Sequence, residues 1–487
     1  MKIYTPEWVK HAIFYQIFPD RFARSLRTKH PRGITFKPWE TAPEEQGYHG
    51  GDLRGIVDKL DYLQSLGITA LYLNPIFASA SNHRYHTFDY YQVDPLLGGN
   101  EALRELLDGA HARDIRVVLD GVFNHASRGF WPFHHILENG PNSPFVDWFQ
   151  ILGSPLRPYS SGENRPLNYK GWWGHAALPE FNTDNPGVRD YLFDVARYWI
   201  DFGIDGWRLD VPADIDDDSF WQEFRRVVKA ANRDAYLCGE IWHEAQRWLQ
   251  GDQFDAVMNY LFTWNTLSFF GADTLRTDWA HPNVSLNPID AAAMLRNIDH
   301  MHSLYDWEIN HAQLNLLDSH DMPRALYLMG EDKNALRLSV LFQMTMPGAP
   351  CIYYGDEVGL SAGGDPYCRG AFPWQDESSW DHDLLAFYQA ATTLRHSHPV
   401  LRTGAFRFIY ADGKVMAFCR RLDDQNAVVV FNAGREPAQV QIPVPDQDGN
   451  TLTRVWPVQE KRHAPVEAGV LNLTLPPQEA AVLVANG

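Results

Sequence analysis

Long apolar runs are missing from this chain of 487 residues, since no stretch reaches the roughly 18 apolar residues that a membrane-spanning helix needs. Runs of basic residues are missing too, because Lys and Arg never exceed two in a row and the net charge is −19. Nucleic acid and membranes are therefore disfavoured as partners, since both bind through clustered positive charge. A neutral substrate is compatible with such a surface.

Cysteine is scarce, and the chain contains neither a CxxC pair nor a zinc-ligand spacing. The first residues, Met1–Glu7, lack the basic region and apolar core of a secretory signal, although processing before Met1 stays open. We therefore expect a cytoplasmic protein with free thiols. The four cysteines are Cys238, Cys351, Cys368 and Cys419.

Strand-like and helix-like segments alternate along most of the chain, which predicts an α/β protein with parallel strands. Eight such strands alternating with helices are typical of a (β/α)8 TIM barrel. A doubly wound open sheet is the alternative, but no glycine-rich phosphate turn follows the first strand. The predicted strands are residues 12–19, 69–75, 116–120, 205–210, 235–241, 255–259, 313–318 and 350–355. The predicted helices are residues 56–66, 101–111, 188–202, 220–231, 333–345 and 384–395.

Two regions depart from this alternation. Residues 126–182 show little periodicity and are too long for an ordinary loop, so we predict an inserted subdomain, B, after the third strand. From residue 399 onward, short strands between turn residues predict an antiparallel β-sandwich. The predicted domains are therefore a barrel (1–125 and 183–398), subdomain B (126–182) and a C-terminal β-sandwich (399–487).

Polar side chains follow several of the predicted barrel strands. In a TIM barrel the carboxyl ends of all strands share one face, which carries the active site. Each residue alone has a structural explanation, such as an ion pair lining the barrel or a helix cap. Their shared position is what favours a catalytic site. These residues are Asp120, Asn124, His125, Arg208, Asp210, Glu240, His320 and Asp321.

Three of these residues, Asp210, Glu240 and Asp321, are acids suited to glycoside chemistry. Arg208 and Asp210 share one face of a strand, and a neighbouring guanidinium favours an ionised carboxylate, as a nucleophile requires. Glu240 ends an apolar strand beside Trp242, and partial burial raises a carboxyl pKa, as a general acid requires. Asp321 is expected to hydrogen-bond substrate hydroxyls in the transition state. Retention of configuration requires the two reacting carboxyls to be about 5–5.5 Å apart.

These segments resemble the core motifs of the α-amylase family of glycoside hydrolases (family 13). The resemblance extends from about residue 8 to residue 400 and weakly into the C-terminal region. Residues 178–182, LPEFN, are similar to the fifth-region signature of the neopullulanase, cyclomaltodextrinase and maltodextrin glucosidase branch. The other matching segments are residues 120–125, 206–210, 239–243, 317–321 and 348–357.

The resemblance implies a retaining α-glycosidase that hydrolyses α-1,4 bonds of maltooligosaccharides or cyclodextrins through a covalent glycosyl-enzyme. It implies Asp210 as nucleophile, Glu240 as acid/base and Asp321 as transition-state stabiliser, in agreement with the reasoning above. The substrate-binding candidates are His83, Tyr85, His125, Arg208, Trp242, His320, Asp365 and Arg369. Of these, Asp365 and Arg369 are implied to contact the next sugar on the non-reducing side.

Three departures from the family pattern bear on partners and cofactors. The branch commonly carries an N-terminal β-domain, whereas this barrel begins almost at once, so we expect any homodimer to use another mode. The family's calcium loop is replaced by the basic segment Arg24–Lys29, which lacks oxygen ligands for a hard cation. We expect that no cofactor is required and that this metal site is lost; a different calcium site at Asn124 stays open. His86 stands where the branch often has Asp, so hydrogen bonding behind Tyr85 is expected to differ.

Two alternatives remain. A transglycosylase or isomerase would use the same two carboxylates and differ in how well it excludes water. A non-catalytic sugar-binding homologue is less favoured, because all three acids are kept. The preferred substrate is not predicted, since it depends on subdomain B around Trp172 and Trp173 and on the assembly state.

Overall fold

The computed structural model describes residues 2–159, 167–282, 284–457 and 463–486. Residues 160–166 of predicted subdomain B, and 458–462 and 487 of the predicted C-terminal domain, lie outside the described residues, as does Met1. In the part of the chain that is described, no helix has the length and apolar character to span a membrane.

Eight parallel strands form a closed barrel, as predicted. Consecutive strands pair along the chain, and the last pairs with the first. A parallel bridge between Met258 and Leu314 closes the remaining gap after the two-residue sixth strand. The strands are β1 (Phe14–Ile17), β2 (Ala70–Leu73), β3 (Arg116–Gly121), β4 (Gly206–Leu209), β5 (Tyr236–Gly239), β6 (Ala256–Val257), β7 (Leu314–Leu316) and β8 (Ala349–Tyr353).

Helices surround the barrel and bury their apolar faces against it. The predicted helix 56–66 is wrong, because two short helices occupy this region with a break at Asp58 and Lys59. At the break, the Asp58 carboxylate accepts hydrogen bonds from Ser25 and Arg27, so tertiary contacts override helix propensity. The helices are α1 (Glu7–His11), α2 (Pro19–Phe22), α3 (Leu53–Val57), α4 (Leu60–Ser65), α5 (Gly99–His111), α6 (Trp131–Asn139), α7 (Pro186–Phe202), α8 (Asp218–Ala231), α9 (Tyr260–Phe270), α10 (Ala291–Ser303), α11 (Trp307–Asn310), α12 (Ala325–Leu328), α13 (Lys333–Thr345), α14 (His382–Ser397) and α15 (Pro399–Thr403).

The segment between β3 and α7 is held by aromatic packing and short antiparallel bridges. Phe130, Phe133, Phe149 and Phe181 form its buried centre. The bridges pair single residues, such as His125 with Glu180, rather than long strands. Because the segment contains isolated bridges rather than long strands, its sequence shows no strand periodicity.

Short strand pairs and single helical turns occur between the main elements. Two short antiparallel pairs are formed by Phe77–Ser79 with Thr87–Val93 and by Ala280–His281 with Val284–Ser285. Single turns of 3₁₀-helix occur at Pro95–Leu97, Gly140–Asn142, Val146–Trp148, Trp172–Gly174, Pro212–Asp214, Asp356–Val358, Tyr367–Arg369, Glu377–Ser379 and Pro445–Gln447.

The C-terminal region is an antiparallel β domain, as predicted. Its apolar centre contains Val430, Ile442, Leu471 and Leu483. Only half of its strands were predicted, because the others carry one or two buried apolar residues among polar ones. The strands are β9 (Ala405–Asp412), β10 (Val415–Leu422), β11 (Gln425–Asn432), β12 (Ala438–Pro443), β13 (Thr451–Trp456), β14 (His463–Glu467), β15 (Val470–Leu475) and β16 (Glu479–Asn486), paired in the order β9-β10-β11-β16-β13-β14-β15-β12.

Candidate active site

A cavity of about 680 Å³ opens at the carboxyl ends of the barrel strands. Arg208 and His320 lie just beneath its wall, bonded to residues that line it. The other nine predicted site residues line the cavity: His83, Tyr85, His125, Asp210, Glu240, Trp242, Asp321, Asp365 and Arg369. Side chains from the third, fourth, fifth and seventh strands, separated along the chain, thus meet at one place.

Arg208 is the centre of the acidic cluster. It is buried on β4 between β3 and β5, and Gly206 of the same strand allows this close pairing, since a Cβ there would lie 2.3 Å from the Tyr236 carbonyl oxygen. Its Nη1 lies 2.9 Å from Asp120 Oδ1 and 3.0 Å from Asp210 Oδ1. Its Nη2 lies 2.9 Å from Glu240 Oε2. The sequence predicts the pair with Asp210 only, whereas the structure shows one guanidinium shared by three carboxylates.

A strained residue separates Asp210 from the loop that follows. Val211 has φ 37° and ψ 49°, a left-handed conformation that a β-branched residue rarely adopts. This turn directs the Val211 N–H to Glu240 Oε2, at 3.1 Å. The other carboxylate oxygen, Oε1, accepts a hydrogen bond of 2.9 Å from Trp242 Nε1. The strained turn therefore links the two acids on neighbouring strands.

Asp321 lies among positive partners on the β7 side of the cavity. Its Oδ2 is 2.9 Å from His320 Nε2, and its Oδ1 is 3.3 Å from Arg369 Nη2. Arg369 also pairs with Asp365 at 2.9 Å and donates through Nε to the His320 carbonyl oxygen. Arg369 therefore pairs with Asp321 and with Asp365. The two residues implied to contact the next sugar on the non-reducing side are thus linked to Asp321.

Tyr85 forms the floor between the β3 and β7 sides. Its ring stacks on His320 with centroids 5.5 Å apart, and its hydroxyl donates to Asp120 at 2.8 Å. Asn74 donates to the same hydroxyl at 3.1 Å. Hydrogen bonding behind Tyr85 thus comes from Asp120, His320 and Asn74, while His86 packs edge-on against His83 at 4.8 Å.

Two aromatic stacks border the cavity, and the first lies beside Glu240, which accepts a hydrogen bond from Trp242. The Trp242 ring lies between Tyr260 and His281, at centroid distances of 3.9 and 4.1 Å. The second stack places the His125 ring against Trp172 at 5.1 Å. His125 Nε2 is buried with no hydrogen-bond partner among the described residues. It is available to a ligand in the cavity.

Burial and charge set the protonation of the acids. Burial raises the pKa of Asp210 well above its usual range, with repulsion from Glu240, against the attraction of Arg208. Burial also raises the pKa of Glu240. Burial alone would raise the pKa of Asp321, but His320 and Arg369 lower it below its usual range. Burial and mutual repulsion thus favour proton binding by the Asp210–Glu240 pair, whereas the positive partners of Asp321 favour its ionised form.

The expectation that Arg208 keeps Asp210 ionised leaves out burial and the neighbouring Glu240, which raise the pKa of Asp210. Glu240 accepts two hydrogen bonds, from Val211 N and Trp242 Nε1, and pairs with Arg208, whereas Asp210 accepts one from Arg208 alone among the described residues. Hydrogen bonding thus favours the ionised form of Glu240 more than that of Asp210. Catalysis would require a proton on Glu240.

Several residues of the site were missed or left without a role in the sequence analysis. Asp120 was noted at a strand end, but its contacts with Arg208, Tyr85 and Tyr72 depend on the three-dimensional arrangement of the strands and loops rather than on spacing. Gln16 lies 2.8 Å from His320 Nδ1, and a polar residue inside an apolar first strand was the available signal. His281 comes from a two-residue strand pair that no sequence pattern indicates.

The basic segment Arg24–Lys29 does not fit a calcium ion. Arg27 places its guanidinium 2.8 Å from Asp58 and 3.1 Å from Glu105, so cationic nitrogen occupies the space beside these carboxylates. Calcium sites rely on carboxylate and amide oxygens, and residues 24–29 contribute no such side chain. Within the described ranges, His, Cys, Asp and Glu form no group of three suited to a metal.

Comparison with known proteins agrees with this geometry. The model of the α-amylase catalytic domain matches residues 16–379, and that of the maltogenic amylase C-terminal domain matches residues 406–482. The chain belongs to the α-amylase family of glycoside hydrolases. Within this family its relatives place it in the cyclomaltodextrinase and neopullulanase branch, and it is a glycoside hydrolase of that type.

Individual relatives are similar over most of the chain. A cyclomaltodextrinase from a Bacillus species is 45% identical over 88% of this chain and 73% of its own length. Neopullulanase 2 of Thermoactinomyces vulgaris is 41% identical over 98% of this chain and 78% of its own length. The crystal structure of the debranching enzyme of Nostoc punctiforme is 48% identical with a TM-score of 0.90, and both chains are covered completely.

Proposed function

We propose that the protein is a retaining α-glycosidase that hydrolyses α-1,4-glucosidic bonds of short maltooligosaccharides and cyclodextrins. The observation that carries the proposal is the Arg208 guanidinium shared by Asp210 and Glu240, with Asp321 in the same cavity. The named cyclomaltodextrinase and neopullulanase relatives support the substrate class.

The proposed reaction has two steps with one proton shuttled by Glu240. Asp210 attacks the anomeric carbon while Glu240 protonates the leaving oxygen, which gives a covalent glycosyl ester and a free sugar end. Glu240, now ionised, takes a proton from water as that water attacks the same carbon. The ester bond breaks, and Asp210 leaves as carboxylate. Two displacements retain the configuration of the anomeric carbon.

The remaining side chains are proposed to orient the reacting sugar. Asp321, ionised beside His320 and Arg369, would accept hydrogen bonds from ring hydroxyls as positive charge develops. Tyr85 offers a flat ring to an apolar sugar face. His125 offers its unpartnered Nε2 to a hydroxyl.

Replacement of the nucleophile tests this assignment. Asp210→Asn keeps the hydrogen bond from Arg208 but cannot form the ester, so kcat on maltotriose should fall at least about a thousandfold. Asp216→Asn is the matched control, because Asp216 lies exposed on the same loop and pairs with Arg247. An Asp210→Asn variant that keeps a tenth of the rate would contradict the assignment.

Hydrolysis of α-1,6 bonds is a second candidate function. The Nostoc structure described as a debranching enzyme matches this chain over the full length of both. Product profiles on maltotriose, β-cyclodextrin, pullulan and isomaltose separate the two functions. Faster turnover of isomaltose than of maltotriose would favour the second.

We also propose that the activity requires no metal ion. The pairing of Arg27 with Asp58 and Glu105 supports this, because a cationic side chain occupies the space beside these carboxylates. Dialysis against EDTA should leave both activity and thermal stability unchanged. A loss of either that calcium restores would contradict it.

A cytoplasmic location is also proposed. All four cysteines are free thiols, three of them buried, which suits a reducing compartment. Fractionation of the source cells tests the location, and secreted enzyme would contradict it.

A further inference from the structure

The indole ring of Trp173, on the turn at residues 171–175, lies outside the buried core of the protein. Trp173 is 72% exposed, yet it lines the catalytic cavity. It stacks on Trp172 with centroids 5.0 Å apart and planes 18° apart. Trp172 in turn stacks on His125. The rings of His125, Trp172 and Trp173 therefore form a continuous stack along the cavity lining.

The backbone at this turn is strained. Trp173 has φ 48° and ψ 27°, a region that glycine adopts readily and a bulky residue rarely does. Hydrogen bonds from Gly174 N to Gly171 O and from His175 N to Trp172 O hold the turn, and neither involves the indole. Neither packing nor backbone preference explains a tryptophan here. Strain of this kind concentrates at ligand sites.

The stack of His125, Trp172 and Trp173 is connected to the loop beside Glu240. Trp172 Nε1 donates to Asp214 at 2.7 Å, and Asp214 lies on the short loop that follows Asp210 and Val211. Val211 is bonded to Glu240, the proposed proton donor to the leaving oxygen. Asp365 and Arg369, by contrast, are tied to Asp321.

We propose that Trp173 is a stacking platform for a glucosyl unit on the leaving-group side, and that it also holds a sugar acceptor. This inference rests on the proposed function. In transfer, an acceptor hydroxyl oxygen attacks the anomeric carbon of the ester, Glu240 takes the hydroxyl proton, and Asp210 leaves as carboxylate. The platform raises the share of transfer over hydrolysis because it keeps an acceptor where water would otherwise attack.

Two substrates separate this platform from the chemistry. Maltotriose places a sugar on the leaving side, whereas α-maltosyl fluoride places only fluoride there. Trp173→Ala should raise KM for maltotriose about tenfold, as expected for one lost stacking contact, and leave turnover of α-maltosyl fluoride unchanged. It should also lower the ratio of transfer to hydrolysis at high maltotriose concentration, while Trp173→Tyr keeps most of both properties.

Trp131→Ala is the matched control, since Trp131 is 61% exposed, stacks on His135 and lies outside the cavity lining. Trp173→Gly adds a second test: it suits the left-handed backbone, so its melting temperature should equal or exceed that of the wild type while KM rises as in the alanine variant. Equal loss on both substrates, or a Trp173→Ala variant that behaves like Trp131→Ala, would overturn the inference. Wild-type protein inactive on both substrates would instead overturn the proposed function.

Discussion

The active-site cavity and the joint between the barrel and the C-terminal domain both bury guanidinium groups, but they surround them differently. In the cavity, Arg208 meets the carboxylates of Asp120, Asp210 and Glu240. At the joint, Arg395 and Arg420 donate to backbone carbonyl oxygens, and no acid pairs with either among the described residues.

The carbonyl groups at the joint come from the ends of two helices. Arg395 donates to Met344 and Met346 at the end of α13, and Arg420 donates to Thr345 and to Leu401 of α15. Helix C-termini carry partial negative charge and unpaired carbonyls, so a cation satisfies both. Burial nevertheless lowers the pKa of Arg395 to about 9.

The difference between the two clusters concerns protons. Around Arg208 three carboxylates share one guanidinium, and burial raises the pKa of both Asp210 and Glu240, which favours proton binding by these two acids. The two guanidinium groups of the joint donate to carbonyl oxygens, and they fix two helices to one sheet. Left-handed residues other than glycine occur in several places in the described ranges: Val211 and Trp173 line the cavity, Arg84 lies beside it in sequence, and Asp114, Glu331, Asp423, Ala468 and Gln478 are outside its lining.

Removal of the cationic centre of the cavity should have the largest effect. Arg208→Met leaves three buried carboxylates without their shared partner, so we expect a loss of about 3–5 kcal/mol in the free energy of unfolding at pH 7, together with loss of activity. The loss should shrink as pH falls, because the carboxylates then take up protons in the folded state. Urea denaturation at pH 5 and pH 7 measures this, and equal losses at both would contradict the account.

The corresponding change at the joint should behave differently. Arg420→Met leaves the carbonyl oxygens of Thr345, Leu401 and Gly404 without their donor, at an expected cost of about 2–3 kcal/mol. We expect kcat at 25 °C to change less than twofold. A tenfold fall in kcat in the folded variant would show that the joint is coupled to the reaction.

Replacement of a cavity acid by its amide should stabilise the fold. The folded-state pKa of Asp210 lies above the unfolded value, so the folded state binds more protons and the free energy of unfolding falls as pH rises from about 4 towards the raised pKa. Asp210→Asn removes this fall, and we expect a gain of about 1–2 kcal/mol at pH 7 with little gain at pH 4. Thermal melts across this range measure it, and a variant less stable than wild type at pH 7 would refute the raised pKa.

Relief of backbone strain should have the smallest effect. Val211→Gly removes the unfavourable left-handed conformation, so we expect up to about 1 kcal/mol of added stability. A freer turn should hold Glu240 less firmly, and kcat should fall by less than about tenfold. Loss of stability in this variant would mean that the Val211 side chain contributes more by packing than its backbone costs.

The sequence was sufficient for the barrel and for the positions of the acids, because strand alternation and strand ends are local patterns. Asp210, Glu240 and Asp321 each follow a predicted strand, and the barrel brings these ends together. The sharing of Arg208 was not predictable, since it depends on the register of β3, β4 and β5.

Other features depend on contacts between distant segments. Arg395 and Arg420 resemble surface residues in the sequence, and only helix ends that meet them in space explain their burial. Four strands of the C-terminal domain, β12 to β15, show single buried residues between polar ones, which gives too weak a pattern. The exposed ring of Trp173 likewise follows from a turn conformation rather than from hydrophobic periodicity.

A covalent label on the nucleophile tests the central claim most directly. The protein would be treated with 5-fluoro-α-glucosyl fluoride, digested and analysed by mass spectrometry to locate the attached sugar. The account predicts one fluoroglucosyl group esterified to Asp210, and none in Asp210→Asn. A label on Glu240 or Asp321, or turnover of maltotriose that releases the inverted anomer, would contradict it.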